Sequence, residues 1–133
     1  DYDDVVAAVL DHTVALAELA ESRGVPREGI LIDATGFGKN TADHLQLLRA
    51  VPQFVATGRP VLMALSNKTF VGETLGVGLG ERLAGTLAAT TIAAQAGARV
   101  FRAHEVEPTR HALEIVASVF DGRPPARASE WIA

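Results

Sequence analysis

The sequence predicts an α/β fold in which parallel strands alternate with helices. Three observations carry that prediction. Stretches of strand length begin at Ile30, Pro60 and Arg99, the first two apolar, stretches of helical periodicity separate them, and each carries polar residues at its carboxyl end. Such alternation specifies right-handed crossovers and a parallel sheet, in the order helix, strand, helix, strand, helix, strand, helix.

The first helix is expected over Asp3 to Ser22, where Val6, Val9, Leu10, Val14, Leu16 and Leu19 recur mainly at helical spacings. Gly24 is a plausible stop, Val25 to Gly29 a turn, and Ile30-Leu31-Ile32 a buried strand. The stretch Asp33-Ala34-Thr35-Gly36-Phe37-Gly38-Lys39-Asn40 follows, its glycines suiting a tight turn or close approach to a ligand. Asn40 or Thr41 caps a second helix carrying Leu45, Leu48, Val51, Phe54 and Val55, which Pro52 breaks or kinks. Pro60 opens the second strand, Val61 to Leu65, and Ser66-Asn67-Lys68-Thr69 leads from it towards the next helix. From Leu79 to Gly97 a segment rich in Ala, Gly and Thr reads as a helix lying close to a sheet, its threonines used for packing or for bonds to helical carbonyls. Arg99 to His104 is the third strand. Glu105, Glu107 and Pro108 start a last helix with Leu113, Ile115, Val116 and Val119 on its apolar side. Past Asp121-Gly122 the periodicity fades, so residues 1–122 form the folded unit and 123–133 a tail, whose Trp131 and Ile132 could dock on a partner surface.

At 133 residues and 48% hydrophobic, the chain has the composition of one folded domain. Its net charge of −4 is dispersed, which proposes neither a nucleic-acid partner nor an anionic membrane surface. The absence of cysteine removes disulfides and thiolate chemistry and fits a cytoplasmic protein. The longest uncharged stretch, Leu83 to Ala98, is too short and too polar to span a bilayer. The acidic start, without an initiator Met, points to part of a longer polypeptide. Three parallel strands also leave bare edges, which either further chain, closing an eight-stranded barrel, or a second copy would cover.

In a parallel sheet the three strand ends meet on one face, bringing together Asp33, the Ser66 to Thr69 loop, and Arg102 with His104. A carboxylate there can hold an N–H-bearing heterocycle, a lysine a ring carbonyl or nitrogen, and Arg with His a polyanion. Each residue alone has an ordinary alternative: Asp33 capping a turn, Lys68 solvated, Arg102 paired with Glu105, His104 satisfied in the core. A P-loop is excluded, since Asp33 stands at its first glycine and Asn40 at its Ser/Thr, and no spaced His/Asp cluster offers a metal site.

These residues resemble dihydropteroate synthase. The family's Asp-led, glycine-rich loop ending Phe-Gly-Lys is similar to Asp33–Lys39, its Ser-Arg-Lys to Ser66-Asn67-Lys68, and its Arg-x-His to Arg102-Ala103-His104. The resemblance covers the chain to about Gly122 and implies the carboxyl-terminal half of a TIM (β/α)8 barrel. It implies condensation of p-aminobenzoate with a pterin pyrophosphate, the pyrophosphate leaving with Mg²⁺, in folate biosynthesis. Asp33 would then bond the pterin edge and Lys68 its carbonyl and ring nitrogen, as the catalytic pair. Phe37 would wall the pocket, and Thr69 with the helix start behind it would receive the p-aminobenzoate carboxylate. Arg102 and His104 would hold the pyrophosphate, and Lys39, Ser66 and Asn67 carry over as substrate-binding positions. The Mg²⁺ ligand would belong to the absent amino-terminal half, which makes this segment alone inactive, and a homodimer would form through Ala84–Ala96 and Leu113–Val119. Asn67 departs from the motif's arginine, Ala34-Thr35 replaces Pro-Gly, and the loop is one residue short. Those features, with Phe-Val-Gly-Glu-Thr-Leu-Gly after Thr69, resemble an actinobacterial synthase-like paralogue. The alternative is therefore a protein that binds pterin or phosphate without synthase activity, as a regulatory or heterodimer partner.

Overall fold

A computed structural model describes residues 3–36 and 38–127. Helix α1 (Val5–Ser22) begins where Asp4 Oδ1 accepts the N–H groups of Val6 and Ala7, both at 3.0 Å. Strand β1 (Ile32–Asp33) leads through the glycine-containing loop to α2 (Thr41–Arg49). Asn40 is the cap of α2: its side chain accepts from Asp43 N–H while the Asp43 carboxylate accepts from Asn40 N–H, closing a reciprocal pair. The helix breaks before Pro52, and α3 (Val51–Val55) starts a new direction because proline has no N–H to give the preceding turn. Then come β2 (Val61–Met63), α4 (Thr69–Leu75), α5 (Leu83–Gln95), β3 (Val100–Phe101) and α6 (Val106–Phe120).

The sheet order is β1-β2-β3, all parallel, with Ile32 opposite Val61 and Leu62 opposite Val100. Sequential strands are thus spatial neighbours and their carboxyl ends share one edge. The core between sheet and helices is built on Ile32, Val61, Met63, Leu65, Leu47, Val51 and Phe54, each at most 2% exposed. Burying a side chain the size of Phe54 contributes about 2–3 kcal/mol.

The strands are shorter than their apolar runs. Ile30 and Leu31 precede β1, Ala64 and Leu65 follow β2, and Arg99 and Arg102–His104 flank β3, because the ladders pair only Ile32–Asp33 with Val61–Leu62 and Leu62–Met63 with Val100–Phe101. One crossover differs more: between β2 and β3 there are two helices. Gly76 adopts φ 68° and closes α4, and Leu79 lies in a single tight turn with 64% of its surface exposed. The apolar sides of two helices are only partly used. On α1, Val5, Val9 and Ala17 are buried while Leu16 and Leu19 are half exposed; on α6, Val116 is buried while Ile115 and Val119 stand in solvent. Among the described residues no helix is long and apolar enough to cross a membrane. Residues 128–133, including Trp131 and Ile132, lie outside those described.

Candidate functional site at the strand ends

Asp33, at the end of β1, turns its carboxylate back over its own loop. Oδ1 accepts from Thr35 N–H at 2.9 Å, from the Thr35 hydroxyl at 2.9 Å and from Gly36 N–H at 3.3 Å. The turn-capping role thus coexists with a place at the site. The Thr35 oxygen, itself buried, also accepts the N–H of Ala64 beyond β2 at 3.0 Å, so one hydroxyl joins two strand ends. Burial works against charge on Asp33, but these bonds and the nearby Lys68 ammonium outweigh it and hold the carboxyl below its usual range.

Lys68 immediately precedes α4 and sends its ammonium to the same loop. Nζ donates to the carbonyl of Gly36 at 2.7 Å and of Thr35 at 3.3 Å, and lies 3.3 Å from Nε2 of His44. Burial pulls Lys68 below its ordinary value; the Asp33 charge resists, and the positive Lys39 and Arg102 add to the lowering. His44 stacks on Phe70 with ring centroids 5.4 Å apart, and its Nδ1 is 2.9 Å from the Asn40 carbonyl. A carbonyl only accepts, so Nδ1 carries the proton and Nε2 can accept from Lys68. Burial, with the charges of Lys68 and Lys39, keeps this imidazole neutral more readily than a free one.

The loop between β1 and α2 separates two open hollows. One, of about 290 Å³, is lined by Gly36, Gly38, Lys39, His44, Asn67, Lys68 and Thr69. The other, of about 540 Å³, runs from Asp33, Gly36 and Lys39 to Ala8, Val9, His12 and Thr13 of α1.

Next to these, Ser66, Asn67, His104 and Glu105 form a polar cluster. Ser66 Oγ accepts the His104 N–H at 3.1 Å, lies 2.9 Å from His104 Nδ1 and donates to Glu105 Oε2 at 3.2 Å. Serine has one proton, so all three contacts are satisfied together only when Nδ1 donates to Ser66 and Ser66 donates onward. Asn67 Nδ2 donates to Glu105 Oε1 at 3.0 Å. Asn67 is left-handed, φ 57°, a conformation asparagine tolerates better than most residues. Both of its peptide groups are held from the α5 side: its N–H by the Thr86 hydroxyl at 3.2 Å, its carbonyl by Arg82 Nη1 at 2.8 Å.

Of the residues expected at the site, Asp33, Lys39, Ser66, Asn67, Lys68, Thr69 and His104 gather along this edge. Arg102 is exposed beside them and reaches Lys68 by charge. Phe37 lies outside the described residues. His104 is exposed, not a core histidine, and Glu105 faces Ser66 and Asn67. Sequence reasoning missed His44, Thr35 as a bridge, and the Arg82–Thr86 support. The one usable signal was His44 four residues after the capping Asn40, which puts its ring over the first turn of α2.

A family profile described as pterin binding enzyme matches residues 1–104. Over 130 residues the chain is 60% identical to the protein named inactive dihydropteroate synthase 2 of Mycobacterium tuberculosis, a match covering 97% of this chain and 41% of that protein. It is 35% identical over 127 residues to the dihydropteroate synthase of Escherichia coli, covering 95% of this chain and 45% of that protein. The structure of a dihydropteroate synthase from Xanthomonas albilineans in complex with 7,8-dihydropteroate superposes with a TM-score of 0.86 at 42% identity, over 93% of this chain and 48% of that one. The chain spans less than half the length of each.

Proposed function

The chain belongs to the dihydropteroate synthase family of pterin-binding enzymes, and on that premise we propose that it forms the pterin-holding side of a barrel that binds a pterin without forming dihydropteroate. Its three parallel strands are a fragment of the family's TIM barrel. The reading takes residues 1–122 as half-barrel and 123–133 as tail, with the other half supplied from outside these residues.

The observation that carries it is the contrast between the two ends of the site. At the pterin end, an ionised Asp33 and the Lys68 ammonium face one loop, arranged to meet N–H and carbonyl groups of a flat heterocycle. At the anion end, the guanidinium of the family motif is replaced by Asn67, whose amide is already engaged by Glu105. Asparagine brings neither fixed charge nor a forked donor to a departing pyrophosphate, so stabilisation of developing negative charge is weakened where the reaction needs it. High identity to a protein named inactive supports the same direction. A functioning synthase is the second reading, favoured by the retained Asp33, Lys68, Arg102 and His104. In that case p-aminobenzoate would meet Thr69 and the exposed start of α4, with Lys39 and Ser66 at the pocket wall. On the family resemblance, the protein ligand of a Mg²⁺ ion brought by pyrophosphate would come from the other half. The solvent-facing Ile115, Val119 and Phe120 of α6 support a homodimer through the last helices.

Calorimetric titration of the complete barrel with 6-hydroxymethyl-7,8-dihydropterin tests the proposal. Binding that Asp33→Ala and Lys68→Met each weaken about tenfold or more agrees with it, each charged hydrogen bond to a buried ligand edge being worth about 1.5–3 kcal/mol. Equal binding by wild type and both variants would remove the pterin from this site.

A further inference from the structure

We infer that Glu105 is a built-in occupant of the anion end of this site, so that the site selects pterins without an anionic substituent over pterin pyrophosphates. The inference rests on the pterin-binding reading above. Glu105 precedes α6, yet its side chain makes no capping bond to its own helix. It crosses to the loop after β2, where its two oxygens take one proton each from Asn67 Nδ2 and Ser66 Oγ, at 3.0 and 3.2 Å. Those are the donors that successive residues of this loop would offer an incoming phosphoryl group. Ser66 also anchors His104, so one carboxylate organises the side chains of three residues expected to bind substrate, of which His104 is expected at the pyrophosphate. The loop has little freedom to present other donors, because Arg82 and Thr86 hold both peptide groups of the left-handed Asn67.

The bonds from Asn67, opposed by burial and reinforced by Ser66 and the charge of His104, keep the Glu105 carboxyl below its ordinary value. It therefore stays negative at neutral pH. A pyrophosphate must expel this carboxylate or sit beside it. A doubly charged group about 5 Å from a like charge is disfavoured roughly five- to tenfold even at the dielectric of water. The pterin ring carries no such charge, and the groups proposed to hold it, Asp33 and Lys68, meet at the loop after β1.

The test titrates the complete barrel with 6-hydroxymethyl-7,8-dihydropterin, its pyrophosphate and inorganic pyrophosphate, in wild type, Glu105→Gln and Glu105→Asp. In wild type the pyrophosphate ester is expected to bind no better than the alcohol. Glu105→Gln, which keeps an acceptor for Asn67 and loses the charge, is expected to tighten both pyrophosphates about fivefold or more while the alcohol is unchanged. Glu105→Asp, withdrawn by one methylene, is expected to move in the same direction by less, and decides the question if the Gln variant does not fold. Unchanged or weaker pyrophosphate binding in the variants overturns the inference, since a carboxylate that only fastened two loops would show that pattern. If neither pterin binds any of the proteins, the pterin reading fails separately, and the inorganic pyrophosphate ratio still decides the role of Glu105.

Discussion

Replacing Gly72 by alanine probes the support of Asn67 from a distance. Gly72 lies inside α4, and a Cβ added there would stand 2.5 Å from Arg82 Nε and 2.6 Å from its Nη2. A guanidinium ends a flexible chain and can move aside, but only by releasing the Asn67 carbonyl that Nη1 holds at 2.8 Å. Loss of a charged donor costs about 1.5–3 kcal/mol. The change from glycine to alanine inside a helix returns about 1 kcal/mol. Gly72→Ala should therefore destabilise by about 0.5–2 kcal/mol in the native background. With Arg82→Ala the obstacle and the bond are both absent, and the same substitution should stabilise by up to about 1 kcal/mol. Urea denaturation of the four proteins of this cycle gives both values, provided the slopes agree. The same sign in both backgrounds would refute the idea that Gly72 exists to let Arg82 through.

Three further outcomes follow from the site. Thr35→Val leaves the Ala64 N–H unbonded in the interior and should cost about 1–3 kcal/mol by chemical denaturation, with Thr35→Ser recovering most of it. Asn67→Ala should lower stability by about 1–2 kcal/mol and Asn67→Gly by less, because only the left-handed backbone penalises alanine; the reverse order in thermal unfolding would contradict φ 57°. His44 sits below its ordinary 6.5 in the folded state, so as pH falls through 6.5 the unfolded chain takes a proton that the folded chain refuses, and stability drops. His44→Gln should flatten that slope as pH falls through 6.5, whereas the depressed Asp33 and Glu105 lose their contribution only below their ordinary 3.8 and 4.5. A slope unchanged in His44→Gln would place the acid sensitivity elsewhere.

The order of strands and helices was legible because the strand-length stretches at Ile30, Pro60 and Arg99 are separated by turn residues with plain physical meanings. Pro52 ended α2 as a residue without an N–H must. The second helix in the crossover was missed because Gly76 is one glycine among several in a small-residue stretch, and only its left-handed conformation makes it a stop. The amphipathic patterns of α1 and α6 marked helices correctly but overstated what this segment buries, since Leu16, Leu19, Ile115 and Val119 lack cover within it. At the site, strand-end position alone gathered Asp33, Lys68 and Ser66. Which partner each chose depended on side-chain reach across neighbouring loops, and periodicity carries no such information. Glu105 read as a helix start; its engagement with Asn67 and Ser66 needed the third dimension.

The most direct test of the central claim combines two readings on one sample of the complete barrel. Binding of 6-hydroxymethyl-7,8-dihydropterin is measured by titration, and dihydropteroate formation from p-aminobenzoate, the pterin pyrophosphate and Mg²⁺ is then followed by chromatography. A bound pterin with no product is the predicted result. Product at an ordinary enzymatic rate, of the order of 1 s⁻¹ or faster, would contradict it and make Asn67 and Glu105 tolerated features of a working synthase.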